Sequence, residues 1–250
     1  MSVNPFSLAG RRLLVTGASS GIGRQIAISC AEMGGTVVLT GRHGERLHDT
    51  LGHLAGSGHS AVAADLLETG AIDRVVAEAG ALDGVVHAAG IARMVPFRMI
   101  SHAHLDDVLG LNVHAPLLLT KALLATRSLQ QGASIVFVGA VASEVGPVAT
   151  AVYSASKAAL LGAARTLALE VAKHKMRANV LSPGYVRTPL LDALGRNGAK
   201  IDELLDITPL GLGEPIDVAH AAVFLLSDAS RWMTRSLFIA DGGLTSRMSI

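Results

Sequence analysis

The segment Leu13-Leu14-Val15-Thr16-Gly17-Ala18-Ser19-Ser20-Gly21-Ile22-Gly23 holds the key to the architecture. Its first four residues are an aliphatic run that reads as a strand, and residues 22–33 show the apolar spacing of a helix. Between them the glycines recur as Gly-x-x-x-Gly-x-Gly. Glycine in such a turn lets the backbone reverse tightly and approach a pyrophosphate, whose charge the helix amino terminus then stabilises. The spacing is one residue longer than the commoner dinucleotide fingerprint, and it carries weight because it lies between strand and helix. Gly17, Ser19, Ser20, Gly21, Ile22 and Gly23 are therefore expected to bind a cofactor. The same residues also fit Gly-x-Ser-x-Gly, the nucleophile elbow of α/β-hydrolases. That elbow normally follows several strands, and no convincing Asp-then-His partners stand at later strand ends.

Working outward, strands at 13–16, 36–40, 61–64 and 85–88 alternate with helices at 22–33, 45–54 and 72–79. A long helical region then runs to about residue 127, followed by a strand at 135–138, a helix from 151 to about 174, a strand at 178–181, a helix at 218–226 and a strand at 237–239. This alternation reads as βαβ units feeding one doubly wound parallel sheet of seven strands, a single α/β domain over residues 1–250. Residues 187–212 have weak periodicity, with Gly195, Gly198, Pro209 and Gly211, and are expected to form a mobile substrate lid. The helix starting at 151 is apolar nearly all round, which implies that its outer face is covered by another subunit or that it is fully internal.

With 250 residues, half of them hydrophobic, the chain can bury a substantial core. Its 21 Lys and Arg against 20 Asp and Glu exclude a global charge imbalance of the kind that draws proteins to nucleic acid or anionic membranes. A small molecule is the expected partner. Cys30 is the single cysteine, so no internal disulfide forms, which suits a reducing compartment with cytoplasm as the default. The first ten residues do not read as a secretory signal, and the apolar runs are broken by Glu144 and glycines before they could span a bilayer.

In Ala151-Val152-Tyr153-Ser154-Ala155-Ser156-Lys157, a phenol and an ammonium stand four residues apart, on one face of a helix. A phenol ordinarily titrates near pH ~10, so it trades protons at neutral pH only when a neighbouring cation favours the phenolate. Lys157 is expected to be that cation.

The glycine segment, the Tyr153–Lys157 pair, Ser182-Pro183-Gly184-Tyr185-Val186-Arg187-Thr188 and the closing Asp241-Gly242-Gly243 together resemble the short-chain dehydrogenase/reductase family from about Leu8 to Gly243. The resemblance implies a Rossmann-type three-layer sandwich, a nicotinamide cofactor, and hydride transfer between a carbonyl and an alcohol in a homotetramer or homodimer. It makes Tyr153 the general acid/base and Lys157 the residue that holds the nicotinamide ribose and lowers the phenol's pKa. Asn112 matches the asparagine that supports a water relay to the lysine, although a capping or kink residue looks the same in sequence. Asp65 and Leu66 would face the adenine, with a helix cap the plain alternative for Asp65. Ala89 and Gly90 would admit the cofactor, Pro183, Gly184 and Val186 would carry the chain beneath the ring, and Thr188 would bond the nicotinamide amide. Gly41 stands where NAD-preferring members place an acid, so the adjacent Arg42 favours NADP over NAD through the 2′-phosphate.

Two departures from the family pattern stand out. Ala140 occupies the position of the catalytic serine, thirteen residues before the tyrosine, and cannot donate a hydrogen bond. One such donor is worth about 10²–10³ in rate. Ser143 could replace it if the loop folds tightly, or stand as a solvated loop serine; an engineered Ser-to-Ala change would read identically. In Val86-His87-Ala88-Ala89-Gly90, Ala88 replaces an asparagine that ties neighbouring strands, and His87 reads as a packed histidine. No histidine spacing points to a metal. The expected activity is NADPH-dependent reduction of a carbonyl, a 3-oxoacyl thioester or similar ketone, with an alcohol, sugar or steroid substrate left open; an acyl carrier protein would need a basic docking face, which Lys173, Lys175 and Arg177 offer and the neutral Ser128-Leu129-Gln130-Gln131 does not extend. The competing reading, motivated by Ala140, is a non-catalytic NADP-binding sensor or scaffold.

Overall fold

In a computed structural model, residues 4–196 and 201–246 are described, apart from the side chains of 194–196 and 201–202. In chain order the elements are β1 (Arg12–Thr16), α1 (Gly21–Glu32), β2 (Thr36–Gly41), α2 (Gly44–Leu51), β3 (Ser60–Ala63), α3 (Ala71–Ala79), β4 (Leu82–His87), α4 (His102–Leu109), α5 (Ala115–Ala125), β5 (Leu129–Val138), α6 (Ala142–Val145), α7 (Ala151–Val171), β6 (Arg177–Pro183), α8 (Pro189–Arg196), α9 (Ile201–Ile207), α10 (Pro215–Leu226) and β7 (Leu237–Ala240). The strands form one parallel sheet in the order β3-β2-β1-β4-β5-β6-β7. β1 pairs with β2 on one side and β4 on the other, with Leu13 opposite Val37 and Gly84.

Strand alternation divides the core in two. Leu14, Val38, Val85, Ile135 and Phe137 face a layer containing α3, α5 and α7, whereas Leu13, Val15, Val37, Leu39, Val86 and Val136 face α1 and α10. This is the expected Rossmann-type sandwich. Strand order reverses between β1 and β4, which opens a crevice at the carboxyl ends of the strands.

The long helical region is α4, a π-helical turn at Gly110–His114, and α5. His102–Ala125 is long and apolar enough, by length and composition, to cross a membrane, contrary to the reading of the sequence. Its Leu111, Ala115, Leu119 and Leu123 are instead buried in the core beside the sheet. Within 187–212 the described residues form α8 and α9, and residues 197–200 of that stretch lie outside the described residues. The outer face of α7 is open in the single chain, with Ala158, Ala159, Gly162 and Leu169 exposed, so the helix is not fully internal.

Arg177 does not join a docking face. It is buried, and its guanidinium donates to the carbonyls of Leu225 (2.9 Å), Ser227 (3.2 Å) and Ser230 (3.1 Å). A cation there completes the carboxyl end of α10, whose last carbonyls have no partner within the helix.

Candidate active site

The glycine turn is built for close approach. Gly17 has φ +67°, and a Cβ on it would lie 2.8 Å from the backbone of Ala89. One on Gly23 would lie 2.4 Å from the Gly17 carbonyl oxygen. The turn is also tied to β4: the Thr16 hydroxyl accepts from the backbone N–H of Ala88 (3.1 Å) and Ala89 (3.0 Å). Thr16 thus ties β1 to the end of β4, where Ala88 cannot.

At the start of α1, the Ser20 side chain makes no capping bond and the first turn has no acidic residue. That helix end is open to an anion, which fits a pyrophosphate. At the end of β2, Arg42 lines the same cleft with His43 and Arg46. The Arg42 guanidinium lies 3.9 Å from Asp65, a loose pairing, and Asp65 also accepts from the Leu67 N–H at 3.0 Å. Asp65 therefore shapes an Asx-type turn ahead of α3 and caps no helix.

Tyr153 and Lys157 stand one turn apart on α7, with the ammonium 5.9 Å from the phenol ring centroid. Lys157 is buried and donates to the Val138 carbonyl at 2.8 Å. Burial pulls the Lys157 pKa down to about 8 and pushes the Tyr153 phenol up to about 12. Spacing alone predicts acidification of Tyr153, whereas desolvation by burial moves the phenol the other way. The phenol is held protonated, the form that can donate.

Asn112 sits in the π-helical turn and is buried away from the cleft surface. Its amide accepts from Ile91 N–H (2.9 Å) and donates to the Ile91 carbonyl (2.9 Å) and the Ser156 hydroxyl (3.0 Å). It clasps the loop after β4 to α7, between Tyr153 and Lys157 in sequence. Gly90 permits this, since a Cβ there would lie 3.1 Å from the Asn112 carbonyl oxygen and 3.3 Å from the Lys157 Nζ.

Apart from Asn112, every site residue expected from the sequence lines one cleft of about 720 Å³: Gly17, Ser19, Ser20, Gly21, Ile22, Gly23, Arg42, Asp65, Leu66, Ala89, Gly90, Tyr153, Lys157, Pro183, Gly184, Val186 and Thr188. The Thr188 hydroxyl donates to the Val186 carbonyl at 3.1 Å. Ala140 also lines the cleft, but Ser143 does not. The Ser143 hydroxyl turns back to the Ala140 carbonyl at 2.7 Å and is no substitute donor. His87 is buried, 2.9 Å from the Thr120 hydroxyl and stacked on Phe137 at 4.9 Å, and burial lowers its pKa to about 3. It is a neutral packed residue, as the sequence implied.

Sequence reasoning missed the cleft residues His43, Arg46, Met94, Val141 and Tyr185, and reached Leu190, Leu204 and Ile207 only as part of the 187–212 lid. Arg46 had a signal, standing four residues after Arg42 at the start of a helix. Tyr185 had one too, inside the Ser-Pro-Gly-Tyr motif. The others come from loops and short helices without fixed spacing.

A family profile described as enoyl-(acyl carrier protein) reductase matches residues 17–245. The chain is 37% identical to human 3-oxoacyl-[acyl-carrier-protein] reductase, across 92% of this chain and 96% of that protein. It is 34% identical to gluconate 5-dehydrogenase of Gluconobacter oxydans, across 96% of each. A candidate NAD(P)-dependent gluconate 5-dehydrogenase from Beutenbergia cavernae, solved with NADP at low occupancy, superposes with a TM-score of 0.87 at 35% identity, covering 98% of this chain and 100% of that one. A likeness that runs through the glycine turn, the tyrosine helix and the last strand alike leaves one assignment: the chain belongs to the short-chain dehydrogenase/reductase family of oxidoreductases.

Proposed function

We propose that this protein uses NADPH to reduce a ketone to a secondary alcohol, with Tyr153 as the proton donor. The observation that carries this reading is one continuous cleft that runs from Arg42 and Arg46, past the glycine turn, to Tyr153 and Lys157. The NADP-bound neighbour supports the choice of nucleotide, and Gly41, with no carboxylate to bind a free ribose hydroxyl, supports NADP over NAD. Arg42 and Arg46 would hold the 2′-phosphate, and the start of α1 the pyrophosphate.

Bound NADPH supplies hydride to the carbonyl carbon. The Tyr153 O–H gives its proton to the carbonyl oxygen, and the Lys157 ammonium stabilises the phenolate left behind. Asn112 fixes the walls of this arrangement through Ile91 and Ser156. A 3-oxoacyl thioester is the substrate favoured by the human relative; a sugar acid, as in the gluconate enzymes, is the second reading. The non-catalytic alternative has no support among these relatives, which are named as reductases and dehydrogenases.

Residues 187–212 would close over the substrate, and the open apolar face of α7 would pack in a homodimer or homotetramer. The buried single Cys30 suits a cytoplasmic setting. The test is a panel of S-acetoacetyl-N-acetylcysteamine, ethyl 3-oxobutanoate, 5-keto-D-gluconate and cyclohexanone, assayed with NADPH and NADH before and after Ala140→Ser. Turnover with NADPH, raised by the restored hydroxyl, is expected. Tight NADPH binding with no turnover in either form would refute the reading.

A further inference from the structure

We propose that the Tyr185 hydroxyl replaces the missing serine, donating a hydrogen bond to the substrate's carbonyl oxygen while Tyr153 supplies the proton. This inference rests on the reading that the cleft reduces a ketone.

The pairing of β5 with β6 brings the backbone of Ala140 beside Pro183, two residues before Tyr185. β5 and β6 pair with Val138 opposite Leu181, and the ladder continues past the strands, with Gly139 N–H donating to the Leu181 carbonyl (2.7 Å) and Val141 N–H to the Pro183 carbonyl (3.0 Å). Extending that register by two residues sets Ala140 beside Pro183. Tyr185 follows Pro183 by two residues, past the end of β6, where the chain leaves the sheet and turns along the cleft. All three line the cleft with Tyr153.

The backbone carrying the phenol is fixed on both sides. Gly184 is pressed against Asp241 so closely that a Cβ would lie 2.7 Å from its Cα, and the Tyr185 carbonyl accepts from Gly213 N–H at 2.9 Å. Val186 then bridges to Gly213.

The other hydroxyls of the cleft are committed elsewhere. Thr40 donates to the Val62 carbonyl (2.8 Å), Thr150 to the Pro147 carbonyl (2.6 Å) and Thr188 to the Val186 carbonyl (3.1 Å). Ser19 and Ser20 stand on the glycine turn at the phosphate end. Only the hydroxyls of Tyr153 and Tyr185 remain at the reacting end with no partner among the described residues. Partial burial raises the Tyr185 pKa, so its proton stays in place at neutral pH. Tyr185 keeps that proton throughout the reaction; the one transferred comes from Tyr153.

The experiment is a double-mutant cycle between Tyr185→Phe and Ala140→Ser, using the panel ketone that is reduced fastest and fluorescence titration of NADPH. Alone, Tyr185→Phe is expected to lower kcat by about 10²–10³, the usual worth of one such donor, with NADPH affinity unchanged. In the Ala140→Ser background the same change is expected to cost less than about 10-fold, because a serine hydroxyl then supplies the bond. A loss below about 3-fold on its own, or equal losses in both backgrounds, overturns the proposal. If the Phe variant binds NADPH poorly, Tyr185→His decides, since it restores a donor: recovered turnover supports the assignment and none overturns it. If Tyr153→Phe abolishes turnover while Tyr185→Phe does not, this inference falls and the reductase reading stands. If no panel ketone is reduced by either the parent or Ala140→Ser, both fall.

Discussion

Replacing Lys157 by Met is expected to destroy activity and yet make the fold more stable. The ammonium is buried, and its pKa falls from an ordinary 10.5 to about 8. At about 1.4 kcal/mol per unit, holding the charge at neutral pH costs the folded state about 3 kcal/mol. Met fills similar volume without a charge, but it abandons the Val138 carbonyl that Nζ reaches at 2.8 Å, a loss of about 1–2 kcal/mol. The net gain is therefore about 1–2 kcal/mol, or roughly 2–8 °C in Tm for a chain of this size. The sign of the pH dependence follows from the same values. Below about pH 8 both folded and unfolded chains carry the proton and the penalty is complete. Between about 8 and 10.5 the unfolded chain holds a proton that the folded chain has lost, so the parent gains stability with rising pH. Thermal melts of parent and Lys157→Met without nucleotide, from pH 6.5 to 10, should show a gap that narrows above pH 8. A variant that melts lower than the parent at pH 7, or a gap independent of pH, would refute the reasoning.

Gly17→Ala should lower Tm and weaken NADPH binding, because φ +67° alone costs an alanine about 1–2 kcal/mol and its Cβ meets Ala89 at 2.8 Å; an unchanged melt would contradict this. Arg42→Ala should weaken NADPH by about 10–100-fold, the worth of a charge-assisted hydrogen bond, while leaving NADH affinity alone, and fluorescence titration with both nucleotides checks the split. The reduction rate should decline as pH rises through about 8, where Lys157 loses its charge, whereas Tyr153, held near 12, keeps its proton. A pH profile flat to 10 would exclude Lys157 as the controlling group.

The sheet was legible because buried parallel strands are short aliphatic runs between helical patterns, and all seven appear near their expected places. Their ends were less so. β5 begins at Leu129, since Leu129 pairs with Leu82 across a register irregularity, although Gln130, Gln131 and Gly132 are exposed and polar or small. The π-helical turn around Asn112 left no mark in a continuous apolar pattern, yet it creates the clasp on Ile91. Arg177 looked like a surface cation because sequence shows charge but not the carbonyl cage that surrounds it. At the site, spacing revealed the residues fixed by backbone turns and by the helix face. Val141 reaches the same cleft from a loop with no fixed spacing, and Leu204 and Ile207 from a stretch whose weak periodicity marked only a lid. The protonation of Tyr153 was misjudged for a related reason: burial depends on everything packed around a group, not on the one cation a helix turn away.

The most direct trial of the proton-donor role is rapid-mixing reduction of the preferred ketone by Tyr153→Phe loaded with NADPH. Nucleotide affinity should stay within about 2-fold of the parent while the rate of NADPH oxidation drops by about 10²–10⁴. A phenylalanine variant that binds NADPH and oxidises it at the parental rate would show that the proton comes from elsewhere.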